Sequence, residues 1–436
     1  MGKITVNTGK TIGKIKPMHA VNNNPLKPRS DQTKSCFDDY KAAGIPYARN
    51  HDASHWAGAG REHVVDVNCI FTDFDRDVND TSAYDFTLTD VYVNTCFEAG
   101  AKMYYRLGAS IEHWVKKYNT VPPKDNQKWA EICEHIIMHY NEGWADGFNL
   151  GIEYWEIWNE PDLGDEKCWG GTREEFYELF ATSVSYLKNR FPQLKIGGPA
   201  VAGIGNPEFM EGLLMRLKKD NIPLDFFSWH LYGNDLEWYS GDMKKARNIL
   251  DKHGYTKTES ILNEWNYVKD WSDHFVYSIE QIIGMKGAAF TAAVMLIGQE
   301  NPLDMLMYYD ARPSAFNGMF DFYTERPLKG YYPFKMFNNL YKKGAAVETM
   351  CDMGDIHAAA AVDKNGGTAT MISYFNDNDE LKESKEIEVC FDKAVNASVY
   401  LLDENHTAEK IFGFCGTAVR LALKPNSVVL ISDDYE

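Results

Sequence analysis

Two segments of this chain carry a glutamate out of an apolar run. One reads Trp155-Glu156-Ile157-Trp158-Asn159-Glu160-Pro161-Asp162, the other Ile261-Leu262-Asn263-Glu264-Trp265-Asn266. Strand alternation puts Glu156, Trp158 and Glu160 on one side, with Glu160 at the exit. Pro161 then stops the strand and fixes the backbone just beyond the acid. Asn159, beside it, could hydrogen-bond a hydroxyl group. A lone glutamate at such a place is as well explained by a capped turn or a rim ion pair. Two at one cavity mouth are equipment for a reaction that needs a proton donor and a nucleophile. One must be protonated to release a leaving oxygen and the other ionised to attack carbon, so their surroundings must push their pKa values apart. Cleavage of a glycosidic bond has these requirements.

Further polar residues gather at other segment ends. Ser228-Trp229-His230-Leu231-Tyr232-Gly233 places His230 and Tyr232 on one face, and the phenol could orient a nucleophile. Arg49-Asn50-His51-Asp52, with His55 close behind, offers a guanidinium able to hold a carboxylate ionised. His51, Asp52 and His55 have spacing reminiscent of metal ligands, but no HExxH and no closed Cys/His set accompanies them, so no metal is expected. The absence of a phosphate-cradling glycine turn argues against an organic cofactor.

These ends need a scaffold that brings them together. Short apolar runs recur at 15–21, 45–49, 101–107, 153–158, 194–198, 225–231, 260–265 and 303–309. Between them lie segments of helical period, such as 127–144 with Trp129, Ile132, Cys133, Ile136, Ile137, Tyr140 and Trp144, and 174–190 with Phe176, Phe180, Val184 and Leu187. Eight such pairs predict an α/β fold, a (β/α)₈ TIM barrel over residues 9–343, with functional residues at the C-terminal ends of its strands. A doubly wound open sheet is the runner-up. After residue 344 the pattern becomes IHAAAAV, TATMISYF, KEIEVCF, ASVYLL and SVVLISD, separated by turns such as KNGG and NDND. This predicts an all-β sandwich over 344–436, joined by a strand from residues 1–8.

Composition narrows the function classes. A formal net charge of −18 without a basic run argues against nucleic acid. No apolar run reaches the ~18 residues of a membrane span, and the N-terminus lacks a signal-peptide apolar region, so a cytoplasmic location is expected. The eight cysteines form no CxxC pair, in keeping with a reducing compartment. The chain is rich in aromatics, with 11 Trp, 25 Tyr and 23 Phe, side chains that pack well on the C–H faces of sugars.

At WEIWNEPD (155–162), SWHLYG (228–233) and NEWN (263–266) the chain resembles glycoside hydrolase family 39 of clan A, the β-xylosidase and α-L-iduronidase family. The ARNHD segment, residues 71–90, NGMF (317–320) and GYYPFKMFNNL (330–340) carry the likeness along nearly the whole chain. The resemblance implies that Glu160 is the acid/base and Glu264 the nucleophile of a retaining mechanism. It implies that Asn159 holds the hydroxyl at carbon 2, and that His51, His230, Tyr232 and Trp265 line the sugar subsite. The family's aromatic and acidic exit of strand eight is replaced here by MYYDARPSAFNG (307–318), where Tyr309 and Asp310 are the substitutes.

The expected activity is that of an exo-acting, β-xylosidase-like retaining glycosidase releasing terminal sugars from plant-type oligosaccharides. Residues 52–90 and 310–329 are long enough to wall off one end of the mouth. Arabinosidase or galactosidase specificity fits the same residues. An idle carbohydrate-binding barrel and a metal-dependent isomerase are the rivals from other classes. The expected partner is a carbohydrate, with the oligomeric state open.

Overall fold

Eight short parallel strands close into a barrel in the computed structural model, which describes residues 2–25, 27–28, 34–53, 63–112, 115–164, 166–314 and 316–435. After an N-terminal strand, β1 (Gly2–Lys14), the barrel comprises β2 (Ala20–Asn22), β3 (Tyr47–Arg49), β4 (Lys102–Leu107) and β5 (Tyr154–Ile157). It continues through β6 (Lys195–Val201), β7 (Phe226–Gly233), β8 (Glu259–Tyr267) and β9 (Met305–Tyr308), which pairs back onto β2. Each of the eight expected runs overlaps a barrel strand, the first only at residues 20–21, and the open-sheet alternative falls because β9 pairs with both β8 and β2. The helix at 173–190 also forms where the periodicity placed it, while the one at 126–141 ends short of 144, because Gly143 turns the chain at φ 74° and Trp144 opens a separate 3-10 turn. Asp125 caps the helix at 126–141, and a Thr172–Glu175 capping box starts the one at 173–190.

The barrel interior is layered. Its lower end is plugged by Ala20, Tyr104, Tyr154, Phe226, Ile261, Met305 and Met307. Above the plug the inward side chains turn polar: Asn22, Arg49, Glu156, Ser228 and Asn263 are all buried. The two glutamates stand at the upper rim of this polar layer. An apolar floor keeps water from below, so the electrostatics of the upper layers act in a low-dielectric setting.

The second unit is an antiparallel sheet of β10 (Ala345–Cys351), β11 (Ile356–Val362), β12 (Thr368–Tyr374), β13 (Lys385–Leu402), β14 (Thr407–Leu423) and β15 (Ser427–Ser432). Its order is β1-β10-β11-β12-β15-β13-β14, and β1 also pairs in parallel with β13. The sheet thereby folds over its own core of Ile4, Val6, Ile372, Val389, Val399 and Ile431. Two sequence expectations shift. KEIEVCF and ASVYLL belong to one strand, β13, whose pairing with β14 slips between Cys390 and Val395. The N-terminal strand runs past residue 8 to Lys14, because Lys14 pairs with Ala345 beyond a bulge.

The helix Met285–Glu300 lies between the two units. It is buried nearly all round, which explains its lack of amphipathic pattern. Ser373 Oγ of β12 donates to Ala289 O at 2.8 Å, tying the sheet to it. Among the described residues no single helix is long and apolar enough to cross a membrane.

Candidate active site

Glu160 and Glu264 meet above the polar layer, and neither gets there by regular alternation. β5 ends at Ile157, and Trp158 takes a left-handed φ of 73°. That turn sends Trp158 outward against Trp129, Trp169 and Phe176, on the opposite side from Glu156, contrary to strict alternation. Asn159 and Glu160 then both reach the mouth, Glu160 itself at φ 45°. In β8 the pairing with β7 slips: Trp229 faces Leu262, but His230 faces Glu264. The inserted residue is Asn263, so Asn263 and Glu264 both point inward, as a β-bulge permits.

Arg49 organises the site from the end of β3. Its Nε donates to Glu156 at 2.6 Å, Nη1 to Asn22 Oδ1 at 3.0 Å and to Glu264 at 3.2 Å, and Nη2 to Asn159 Oδ1 at 2.6 Å. Burial opposes its charge, but Glu156 and Glu264 outweigh burial and hold the guanidinium above its ordinary pKa. Glu156 is itself held by Ser228 Oγ at 2.6 Å, Tyr104 at 3.1 Å and Asn263 Nδ2 at 2.5 Å. That leaves Arg49 free to serve Glu264 without an unpaired charge beneath it.

The two glutamates differ in their partners. Glu264 accepts from Tyr232 Oη at 2.6 Å as well as from Arg49. Among the described residues Glu160 has no Lys or Arg in contact; His230 Nδ1 lies 2.8 Å from one oxygen, and the Cys168 thiol donates to the other at 3.8 Å. One oxygen of each glutamate and a His230 nitrogen lie within 4.8 Å of one another. Burial pushes both carboxyl groups up to about 7. Two buried acids so close hold one proton between them far more readily than two negative charges. Arg49 and Tyr232 donate directly to Glu264 and favour the anion there, an asymmetry that would leave a shared proton on Glu160.

Burial lowers His230 to about 4, so its ring is neutral and can take the Glu160 proton's hydrogen bond at Nδ1. Its Nε2 sits 3.6 Å from Glu264. Glu160, His230 and Glu264 are close enough to hold a metal ion. The guanidinium already supplies the positive charge at Glu264, and Tyr232 takes its other oxygen, which suits a carboxylate pair better than a cation site.

The remaining expected residues divide. His51 is buried with Nε2 4.0 Å from Glu264, and burial followed by the Arg49 charge keeps it well below its usual pKa. Asn159 Nδ2 has no partner and is available to a ligand. Tyr309 donates to Asp52 at 3.1 Å at the rim. Trp265 does not join them. It follows the inward Glu264, so it faces outward and packs on Tyr239, Phe290 and Tyr308, under the helices. Asp310 is buried and receives Asn23 Nδ2 at 3.2 Å, with Arg312 3.4 Å away. His55 lies outside the described residues.

Residues that the sequence reading passed over include Glu156 as the anchor of Arg49, Cys168 beside Glu160, and Arg312. An aromatic group also extends from Tyr232 through Trp271 and Phe316, with Trp271 61% exposed. Only Glu156 had a signal, its inward parity on the fourth barrel strand. The others lie on loops whose path no periodicity reports.

The fold and site define a class: a closed (β/α)₈ barrel with paired carboxylates at the C-terminal ends of its fourth and seventh strands. The chain belongs to glycosyl hydrolases family 39, whose profile matches residues 4–278. A β-xylosidase from Caldicellulosiruptor saccharolyticus is 28% identical over 270 residues, 56% of this chain and 49% of that enzyme; the match thus spans about half of that relative. A glucosidase from Croceicoccus marinus superimposes with a TM-score of 0.81 at 23% identity, over 99% of this chain and 98% of that one. A monomeric β-xylosidase from Caulobacter crescentus CB15 does so with a TM-score of 0.73 at 16% identity, over 99% of both. At these identities the structural likeness speaks for the fold.

Proposed function

We propose that this chain is a retaining, exo-acting glycosidase of β-xylosidase type that releases terminal sugars from plant-type oligosaccharides. The observation that carries this reading is the asymmetry of the facing glutamates: Arg49 and Tyr232 hold Glu264, while among the described residues Glu160 has no Lys or Arg in contact. Their proximity within 4.8 Å supports the short separation of retaining enzymes, about 5–5.5 Å between carboxyl groups, over the wider one that admits a water.

In this mechanism a Glu264 oxygen forms a bond to the anomeric carbon while the bond from that carbon to the leaving oxygen breaks. Glu160 gives its proton to the leaving oxygen. The glycosyl–Glu264 ester is then cleaved by water, whose proton returns to Glu160 as water attacks the same carbon. Asn159 Nδ2, Asp52 Oδ1 and His51 Nδ1, all without partners among the described residues, are suited to receive sugar hydroxyls.

Exo action is supported by the way two loops interlock at the rim. Tyr309 and Arg312, beyond β9, both hydrogen-bond Asp52, beyond β3. Residues 54–62, part of the insert expected to wall the mouth, lie outside the described residues. The test is a screen of aryl glycosides of xylose, arabinose, galactose and glucose in both anomers. Fastest turnover of the β-xyloside is expected. A preference for an arabinoside or galactoside would replace the sugar in this reading, and no turnover of any would remove the activity.

A further inference from the structure

The segment that leaves the strand of Glu264 carries an exposed tryptophan. Trp271 follows β8 and is 61% exposed, while Phe275 and Phe316 beside it are half-buried. The three ring centroids are 5.6 to 6.2 Å apart pairwise, and their planes differ by 15° to 23°. Three parallel rings in one column would put the outer two much further apart, so these lie side by side as a flat, offset layer. The layer reaches the reaction centre through one residue. Tyr232 packs edge-on against Trp271 at 5.1 Å and tilted on Phe316 at 5.8 Å, and its hydroxyl donates to Glu264 at 2.6 Å. Trp271 is held in place despite its exposure. Asp270 accepts from Ser272 N at 2.9 Å and from His274 N at 3.0 Å, which fixes the turn that presents the ring. Lys269 N donates to Ser278 Oγ at 2.9 Å and ties the start of that turn to the helix Phe275–Ile282.

A large ring kept in water on a fixed turn adds little to folding and offers its apolar surface to a ligand. Held in one position, it loses little freedom when a ligand settles on it. A flat face of this kind suits the C–H face of a neutral sugar ring. Which part of a substrate meets it follows from the exo-acting reading, on which this inference rests. The terminal sugar then fills the pocket, whose rim Tyr309 and Arg312 join to Asp52. Only the leaving side of the substrate extends out of such a pocket to a solvent-facing ring. We propose that Trp271, with Phe275 and Phe316 beside it, stacks the sugar on the leaving side of the scissile bond and so favours oligosaccharides over glycosides with a small leaving group.

The test compares two substrates of the intact protein that share one terminal sugar. They are β-xylosyl fluoride, whose leaving group has no face to stack, and β-1,4-xylobiose, or the same pair for whichever sugar the aryl glycoside screen selects. In Trp271→Ala the ratio of kcat/KM for the disaccharide to that for the fluoride should fall about fivefold, the weight of one stacking contact, mainly through the KM of the disaccharide. Trp271→Phe, which keeps a flat ring, should recover most of the loss. A ratio within about twofold of wild type overturns the proposal, whether both rates hold or both fall together. A joint fall would make Trp271 a prop for Tyr232 and not a contact for the leaving sugar. The wild-type rate on the fluoride tests the underlying glycosidase reading separately, because that substrate reaches nothing beyond the pocket.

Discussion

Two charge clusters, each built around a buried cation, stand in contrast. At the junction of barrel and sheet, Lys343 Nζ donates to Asp363 at 3.1 Å, Asp433 at 2.7 Å and Asp434 at 2.8 Å. Three ammonium hydrogens meet three carboxylates, and the group is complete. At the barrel mouth Arg49 is equally buried, but the groups around it are not complete. Asn159 Nδ2, His230 Nε2, His51 Nδ1, Asp52 Oδ1 and Asp310 Oδ1 are buried without partners among the described residues. A satisfied cluster holds two units together. An unsatisfied one holds its acids in unfavourable protonation states and leaves donors and acceptors for a ligand. The difference shows where this chain spends its charges on stability and where on chemistry.

Substitutions in the two clusters should therefore act on different properties. Glu264→Ala should lower kcat roughly 10⁵-fold, in line with loss of a catalytic nucleophile. Its melting temperature should be unchanged or higher, since a buried carboxylate goes while Glu156 still pairs Arg49. Thermal melts and steady-state rates on one preparation check both halves. Azide should restore turnover with inversion of configuration.

Glu160→Ala should cost roughly 10²–10⁴-fold on alkyl glycosides. It should spare the first step for leaving groups that need no proton, and azide should then give a retained product. Equal losses on both kinds of leaving group would take the acid role from Glu160.

Tyr232→Phe sharpens the comparison by removing one partner of Glu264 alone. A donor to the ionised form lowers a carboxyl pKa, so its loss raises that of Glu264. The acidic limb of the kcat/KM–pH profile should move to higher pH, with roughly a tenfold loss below neutrality for each unit moved. An unmoved limb would show that the hydroxyl does not bear on Glu264.

Lys343→Met tests the other cluster. Removing the cation from this partly exposed group should lower stability by about 1 kcal/mol, with kcat of the folded fraction unchanged. The pH sign follows from the acids. Burial opposes ionisation of Asp363 and Asp434, but hydrogen bonds from Lys343 outweigh it and leave both below the usual carboxylate range. A depressed folded-state pKa contributes stability above the unfolded value of about 4, and that contribution fades as pH falls through the folded value. The stability gap between wild type and variant should accordingly narrow in acid, as urea melts across pH would show.

What the sequence made legible follows the same division. Periodicity located the eight barrel strands, and strand-end logic located Glu160 and Glu264, because both signals are local. Trp265 was placed in the subsite by family resemblance alone, whereas one step of alternation past the inward Glu264 turns it outward onto Tyr239, Phe290 and Tyr308. Trp158 was misplaced because nothing in its neighbours announces a positive φ. Arg312 and Cys168 come from loops, and their approach to the site depends on chain path rather than pattern. The lysine clamps were invisible for another reason. Lys343 ends a helix and its three acids lie 20 or more residues on, so only the assembled fold brings them into register.

The central claim is that Glu264 attacks carbon and Glu160 handles the proton. A proton NMR time course of the wild-type enzyme on its best aryl glycoside tests it most directly. The account predicts that the first sugar released has the same anomeric configuration as the substrate, with the other anomer growing in only as fast as free mutarotation allows. A first-formed sugar of opposite configuration would contradict it, since water would then have attacked carbon in place of Glu264.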